Sequence, residues 1–278
     1  MSARSDGIDL PVEAGNVEQE NKAHEDQQTT GVRPDGPPAM IAAEGLCKYY
    51  GPFVAVGDAS FSIPQGQIVA FLGPNGAGKT TTLRIISTML KPTEGSVTVA
   101  NFDTLENPKE VRRNIGFMTA QTALYDRLTP TEMVQYIADL YGMQASHFEE
   151  RKNRIFSMLD MHSFADRRIA RLSSGMKQKT SIARTIIHDP SVVVFDEPTT
   201  GLDIMTARRI IELIRSCREE GKTVIFSTHH MSELRLLCDD LAIIHGGKLY
   251  FQGTTEQFET EMKSDSYEDE FVRLVGGA

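Results

Sequence analysis

Gly73-Pro74-Asn75-Gly76-Ala77-Gly78-Lys79-Thr80 follows Gln67-Ile68-Val69-Ala70-Phe71-Leu72 without a break. The octet has the spacing GxxxxGK[ST]. The hexamer before it is apolar enough to be a strand buried on both faces, as central strands of a parallel sheet are. Glycines let backbone N–H groups turn inward around phosphate oxygens at the positive end of the helix that follows. Lys79 is long enough to reach β- and γ-phosphates, and the Thr80 hydroxyl can ligate Mg²⁺. A helix is expected over 80–90. Taken alone, the loop fits any P-loop nucleotide binder.

Working outward, two antiparallel strands are expected before the loop. The second lies around 54–63, where Phe61 and Ile63 alternate with Ser60 and Ser62 and Pro64-Gln65-Gly66 turns the chain. Residues 124–185 read as helical. Thr129-Pro130-Thr131-Glu132 has the form of a capping box with proline at the first helical position. Met133, Tyr136, Ile137, Leu140 and Tyr141 recur on one face of the helix it opens. Ser191-Val-Val-Val-Phe195 is a second buried strand. A helix with Ala207, Ile210, Ile211 and Ile214 inward leads to a strand over 223–226. Gly246-Gly247 then joins two short strands, 241–244 and 248–251, as a hairpin. Alternating strands and helices predict an α/β fold: a mainly parallel sheet, an N-terminal antiparallel β subdomain and a helical subdomain at about 124–185.

The charge is uneven. Residues 1–40 hold eight acids, three bases and no aromatic residue, and so carry five of the nine net negative charges of the 278-residue chain. Such a composition cannot bury enough apolar surface to offset chain entropy, so 1–39 is expected to be a disordered acidic tail and 40–278 the folded domain. The rest is only mildly acidic, which does not suggest a nucleic-acid partner. No run of 18 apolar residues and no N-terminal apolar h-region occurs, so neither a membrane span nor a secretory signal is expected. The three cysteines, Cys47, Cys217 and Cys238, have no CxxC spacing and suit small core thiols in a reducing compartment.

Two further segments narrow the chemistry. Val192-Val-Val-Phe-Asp196-Glu197 places one carboxylate at a strand end, where Asp196 can hold Mg²⁺, and a second beside it, where Glu197 can polarise an attacking water. Leu172-Ser-Ser-Gly-Met176 precedes a helix with Ile182, Ala183, Ile186 and Ile187 inward. Its serine and glycine offer hydroxyl and N–H groups to an anion, although an ordinary serine N-cap has the same form.

Together these segments resemble the ABC ATPase family over about 41–255, with a P-loop NTPase core. The resemblance implies that Gly73–Thr80 is Walker A and Val192–Glu197 is Walker B. Leu172–Met176 stands for the LSGGQ signature, with Ser173 and Gly175 kept. Gly201-Leu202-Asp203 looks like the D-loop, His229 like the switch histidine, and Tyr50 like the adenine-stacking aromatic. ATP and Mg²⁺ are the implied cofactors. Gly73, Pro74, Asn75, Gly76, Ala77, Gly78, Lys79, Thr80 and Thr81 are expected on the nucleotide, with Ser173, Gly175 and Asp203 of a second copy across it. Thr80, Asp196 and Gln121 are expected on the metal, and Glu197, Lys79 and His229 in catalysis. The family's Q-loop glutamine usually follows an Ile-Gly-aromatic-Xaa-Pro pattern. Here Ile115-Gly-Phe-Met-Thr-Ala-Gln121 carries its glutamine one residue late.

The implied assembly is a head-to-tail ATPase homodimer or pseudo-dimer on a separate membrane permease, at the cytoplasmic face of the membrane. The variant Q-loop, Leu124–Pro130 and Gly175–Lys179 look like the NatA-type ATPases, which are associated with sodium export; an ion or drug exporter is the implied transporter. The competing reading is an ABC ATPase acting on ribosomes or DNA. Translation factors of that kind carry two such domains, whereas this chain has one Walker A. Chromosome and repair ATPases insert long coiled coils before the signature, and here Thr129-Pro130 and Gly142 break the interval. A regulatory domain without hydrolysis would typically have lost Glu197 or His229, and both stand.

Overall fold

The computed structural model describes residues 38–119 and 123–276. Residues 1–37 of the expected 1–39 tail, and Gln121, lie outside the described residues, and Ala39 at the end of that expected tail instead begins the first strand. The chain runs β1 (Ala39–Tyr50), β2 (Phe53–Pro64), β3 (Ile68–Leu72), α1 (Lys79–Ile86), β4 (Glu94–Val99), β5 (Phe102–Asp103), α2 (Pro108–Asn114) and β6 (Ile115–Met118). Three helices follow: α3 (Pro130–Leu140), α4 (Ala145–Met158) and α5 (Ser174–Ile186). It continues with β7 (Val192–Asp196), α6 (Ile204–Glu219), β8 (Thr223–Thr228), α7 (Met231–Leu237), β9 (Asp240–His245), β10 (Lys248–Thr254), α8 (Thr255–Glu261) and α9 (Tyr267–Val275).

The α/β architecture has two sheets. One is four-stranded and antiparallel, in the order β2-β1-β4-β5. The other is six-stranded, β10-β9-β3-β8-β7-β6, parallel throughout except for the hairpin β9–β10. Gly246 and Gly247 close that hairpin with φ of +54° and +78°, the left-handed pair its tight turn requires.

Every residue of β3, β7 and β8 is buried, and their period of two divides the interior into two layers. Ala70, Leu72, Val193, Phe195, Val224 and Phe226 face the helices that follow β6. Val69, Phe71, Val192, Val194 and Ile225 face α1 and the antiparallel sheet, where Phe61 meets Phe71 edge to face at 5.6 Å. Such burial, at about 1.5–3 kcal/mol per large side chain, holds the strand ends that carry the chemistry.

Local signals predict several boundaries. The capping box at Thr129 forms in both directions, with Pro130 at the helix start. Helix α1 is shorter than 80–90: it stops at Ile86, because Ser87 caps it and Thr88 turns left-handed at φ +60°. On α3 the buried stripe is Met133, Val134 and Ala138, while Tyr136, Leu140 and Tyr141 are 44%, 65% and 42% exposed. Two helical faces fit the apolar spacing, and packing against α5 selects one. Tyr136 instead meets Tyr125 edge to face at 6.1 Å, and the Tyr141 ring stacks on His188 at 3.9 Å. His188 is half-buried there, and burial pushes its imidazole down to about 4. On α6 the inward stripe runs one turn further than expected: Ile210, Leu213, Ile214 and Cys217 are buried, whereas Ile211 is only partly so.

Candidate nucleotide site

Parallel pairing brings the carboxyl ends of β3, β8 and β7 side by side, with Leu72 opposite Thr228 and Asp196 opposite Ser227. Ligands of open α/β sheets sit outside such ends. The loop after β3 is held by close backbone approach. A Cβ on Gly73 would stand 2.1 Å from the Ile244 carbonyl oxygen, and one on Gly78 would stand 2.5 Å from that of Ala55. Gly78 also has φ +110°, so glycine is required twice over at that position.

A cavity of about 170 Å³ opens here, lined by Tyr50, Phe53, Ala55, Asn75, Gly76, Ala77, Gly78, Lys79, Thr80, Thr81 and Glu197. The Lys79 side chain is 4% exposed, and its ammonium donates to the carbonyls of Gly73, at 2.6 Å, and Pro74, at 3.0 Å. Burial pushes its pKa down, and the nearby Glu197 and Asp196 carboxylates oppose that shift. The loop thus stores a desolvated cation facing the cavity, where an anion would be worth more than in water.

Thr80 donates its hydroxyl to Asp196, with Oδ distances of 2.9 and 3.0 Å. Among the described residues no cluster of three or more His, Cys, Asp or Glu side chains could cage a metal ion. One carboxylate and one hydroxyl, hard oxygen donors, nevertheless suit Mg²⁺, which keeps waters and takes its other ligands from phosphates.

Glu197 occupies the left-handed region at φ +51°, a costly conformation for a residue with a side chain. Its N–H donates to the Ser227 hydroxyl at 2.9 Å, and that hydroxyl donates to Asp196 at 2.7 Å. Its carboxylate lies 4.0 Å from the Lys79 ammonium and 3.4 Å from Nδ1 of His229, and accepts from the Thr200 hydroxyl at 3.2 Å. Ser227 therefore couples the two acids from the neighbouring strand. Buried Glu233 works similarly: it accepts from Thr199 after β7 and, at 2.6 Å, from Thr228 at the end of β8. Sequence reasoning missed both, because neither sits in a spaced motif. Phe53, 59% exposed and paired with Tyr50 across the β1–β2 turn, was missed as a second cavity aromatic, although it lies just three residues from Tyr50.

Ser173, Gly175 and Asp203 do not line this cavity. Ser173 caps α5, its hydroxyl accepting the Met176 N–H at 3.3 Å. Asp203 caps α6, accepting the Thr206 N–H at 2.9 Å and hydroxyl at 2.8 Å; these bonds, led by the N–H, hold its carboxyl below the usual range. A Cβ on Gly175 would meet Thr206 at 3.4 Å and Asp203 at 3.9 Å, so the two loops share one patch of surface. Gln178 joins α5 to the other half, donating to the Pro198 carbonyl at 2.8 Å.

Residues 56–200 match the family model described as ABC transporter. The ABC transporter ATP-binding protein NatA of Bacillus subtilis (strain 168) is 43% identical over 225 residues, covering 80% of this chain and 92% of that protein. The Nod factor export ATP-binding protein I of Ralstonia nicotianae (strain ATCC BAA-1114 / GMI1000) is 35% identical over 81% of this chain and 70% of its own length. Among solved structures, the dimeric post-hydrolysis state of the ATP-binding cassette MJ0796 bound to ADP and Pi superposes with a TM-score of 0.70. It shares 28% identity and covers 77% of this chain and 98% of that one.

Proposed function

From the premise that the chain belongs to the ABC transporter family, as its ATP-binding and ATP-hydrolysing subunit, we propose that two copies close head to tail around two ATP molecules and drive a separate membrane permease. The carrying observation is that the signature-like loop and Asp203 share a surface that is no part of the cavity holding Lys79, Thr80 and Glu197. One chain presents half of a phosphate-binding enclosure, and a second copy of the same chain supplies the other half.

In this reading the adenine stacks on Tyr50 at the cavity mouth, and loop N–H groups from Gly76 to Thr81 wrap the phosphates. Lys79 exchanges its two carbonyl acceptors for β- and γ-phosphate oxygens. Thr80 and Asp196 would hold Mg²⁺, which would supply positive charge against the phosphates. Glu197 accepts the proton of the attacking water, and its strained backbone, tied to Ser227, aims the carboxylate. His229, already beside Glu197, donates to the γ-phosphate as charge builds. Ser173 and the N–H groups at Gly175 of the second copy close on the same phosphate, and Asp203 borders the closure.

On the resemblance alone, Gln121 is proposed to meet Mg²⁺ or its water. Among the described residues no helix is long and apolar enough to cross a membrane, and the permease is proposed as the spanning component. The ATPase would then sit at the cytoplasmic face. The resemblance to NatA-type ATPases supports an exporter, and the permease selects its cargo. ATP closure and opening after hydrolysis shift the permease between two states.

The test is Glu197→Gln. It should bind ATP with wild-type affinity, lose turnover by about a thousandfold, and accumulate as an ATP-dependent dimer in sedimentation velocity. Turnover within a few-fold of wild type would reject Glu197 as the base.

A further inference from the structure

Beside the nucleotide cavity lies a larger, mostly apolar cleft of about 600 Å³. Pro74 and Asn75 form one wall, Met231 and its neighbours after β8 a second, and Glu268, Phe271 and Val272 of α9 the third. Asn75 lines both this cleft and the nucleotide cavity, so the two are neighbours on either side of it. Val272 is 64% exposed at its mouth, an open apolar wall that single-chain packing leaves uncovered.

The matching feature stands elsewhere on the chain. Ile204 and Met205, directly after Asp203, are 86% and 67% exposed, more than any other large apolar side chain among the described residues. They begin α6 beside the patch where Asp203 and Thr206 meet Gly175. One turn on, Arg208 and Arg209 share the single carboxylate of Glu212, at 3.3 and 3.2 Å, which leaves surplus positive charge behind the knob. Glu268, in the cleft wall, is exposed and has no ion-pair partner among the described residues.

We infer that Ile204 and Met205 of each copy seat in the cleft of the other, between Pro74, Met231 and Val272, with Arg208 over Glu268. The inference rests on the head-to-tail reading above. That arrangement lays the signature-like loop over the other copy's phosphate loop, so the residues next to Asp203 arrive beside Asn75. An apolar knob then meets an apolar cleft, and a basic helix face meets an acidic rim. Two-fold symmetry makes both contacts at once. The contact adds to dimer affinity without touching nucleotide, and it couples the loop after β8, which carries His229, to the partner's α6.

The experiment uses the full chain. In Glu197→Gln protein with ATP, the dimer dissociation constant is measured by sedimentation, alone and with Ile204→Ser and Met205→Ser. The pair should weaken the dimer by about a hundredfold, tenfold per anchor. Monomer ATP affinity and thermal midpoint should not change, since both side chains already face solvent. Arg208→Glu and Glu268→Arg should each weaken the dimer, and together they should recover most of the loss. In addition, Ile204→Cys mixed with Val272→Cys should cross-link between copies with a short bis-maleimide only when ATP is present.

If Glu197→Gln forms no ATP-dependent dimer, the functional reading itself fails. If that dimer forms and the serine variants hold it equally well, only the knob-and-cleft contact is wrong. Cross-linking of Ile204→Cys to itself, and not to Val272→Cys, would likewise overturn it. So would losses from the charge variants that simply add.

Discussion

The helix starts at Lys79 and at Ser174 look alike locally, since each presents serine or glycine groups before a helix, yet the fold treats them differently. At α1, the phosphate loop is clamped by backbone contacts to Ile244 and Ala55, faces Glu197 across a shared cavity and is bonded through Thr80 to Asp196. At α5, the Ser173 hydroxyl is occupied by its own helix, and neither Ser173 nor Gly175 lines the cavity that holds Lys79 and Glu197. The difference teaches that an anion-binding helix end becomes a reaction site only where neighbouring strands deliver charge to it. A loop without such neighbours can act on a ligand that another molecule brings.

Five substitutions break or sharpen this contrast. Lys79→Ala removes the stored cation from the self-sufficient half; ATP turnover should fall by about a thousandfold or more, and ATP affinity should fall with it in a binding titration. Ser173→Glu sets a carboxylate where the other copy's phosphate would arrive. Turnover should fall about a hundredfold while a single chain binds ATP as before. Mixing Lys79→Ala and Ser173→Glu chains should restore part of the activity, because one of the two sites then has both halves intact. A mixture as inactive as its parts would mean that each chain completes its own site.

Ser227→Ala probes the coupling inside the first half. Losing the hydroxyl leaves the Glu197 N–H and Asp196 each short of a partner, so turnover should drop about tenfold and stability by about 1–2 kcal/mol in denaturant melts. The smallest effect belongs to the cavity mouth. Tyr50→Ala should raise the ATP dissociation constant about fivefold to tenfold by loss of stacking. The same factor should appear in the Ser173→Glu background, because the platform belongs to the phosphate-loop half. Phe53→Ala alongside it shows which ring carries the base.

Much of the fold was legible because its signals are local. The apolar run before Gly73, the capping box at Thr129 and the Gly246-Gly247 turn each state their geometry within a few residues, and hydrophobic period with these signals located β2, β3, β7, β8, β9 and β10. Of the residues expected at the phosphate loop, Asn75 to Thr81 line one cavity for the same reason, since a spaced motif brings its own backbone shape, whereas Gly73 and Pro74 line the neighbouring cleft. The face of α3 was less legible, since Tyr136 and Leu140 fit the helical period as well as Val134 and Ala138 do. Only the position of α5 chooses between them.

What the sequence by itself determined is the α/β class, the family and the residue types gathered around the phosphate loop, all written in contiguous spacing. What only the tertiary structure decided is which distant groups meet. Ser227 bridges Asp196 and Glu197, Glu233 ties Thr199 to Thr228, and Phe53 joins Tyr50 at the cavity. It also decided that Glu197 is held left-handed, and that Ile204 and Met205 stand bare while a cleft opens beside Asn75. The physical reason is that spacing along a chain encodes period and turn, whereas contact between strands depends on sheet order and register, which emerge only when the whole core is buried at once.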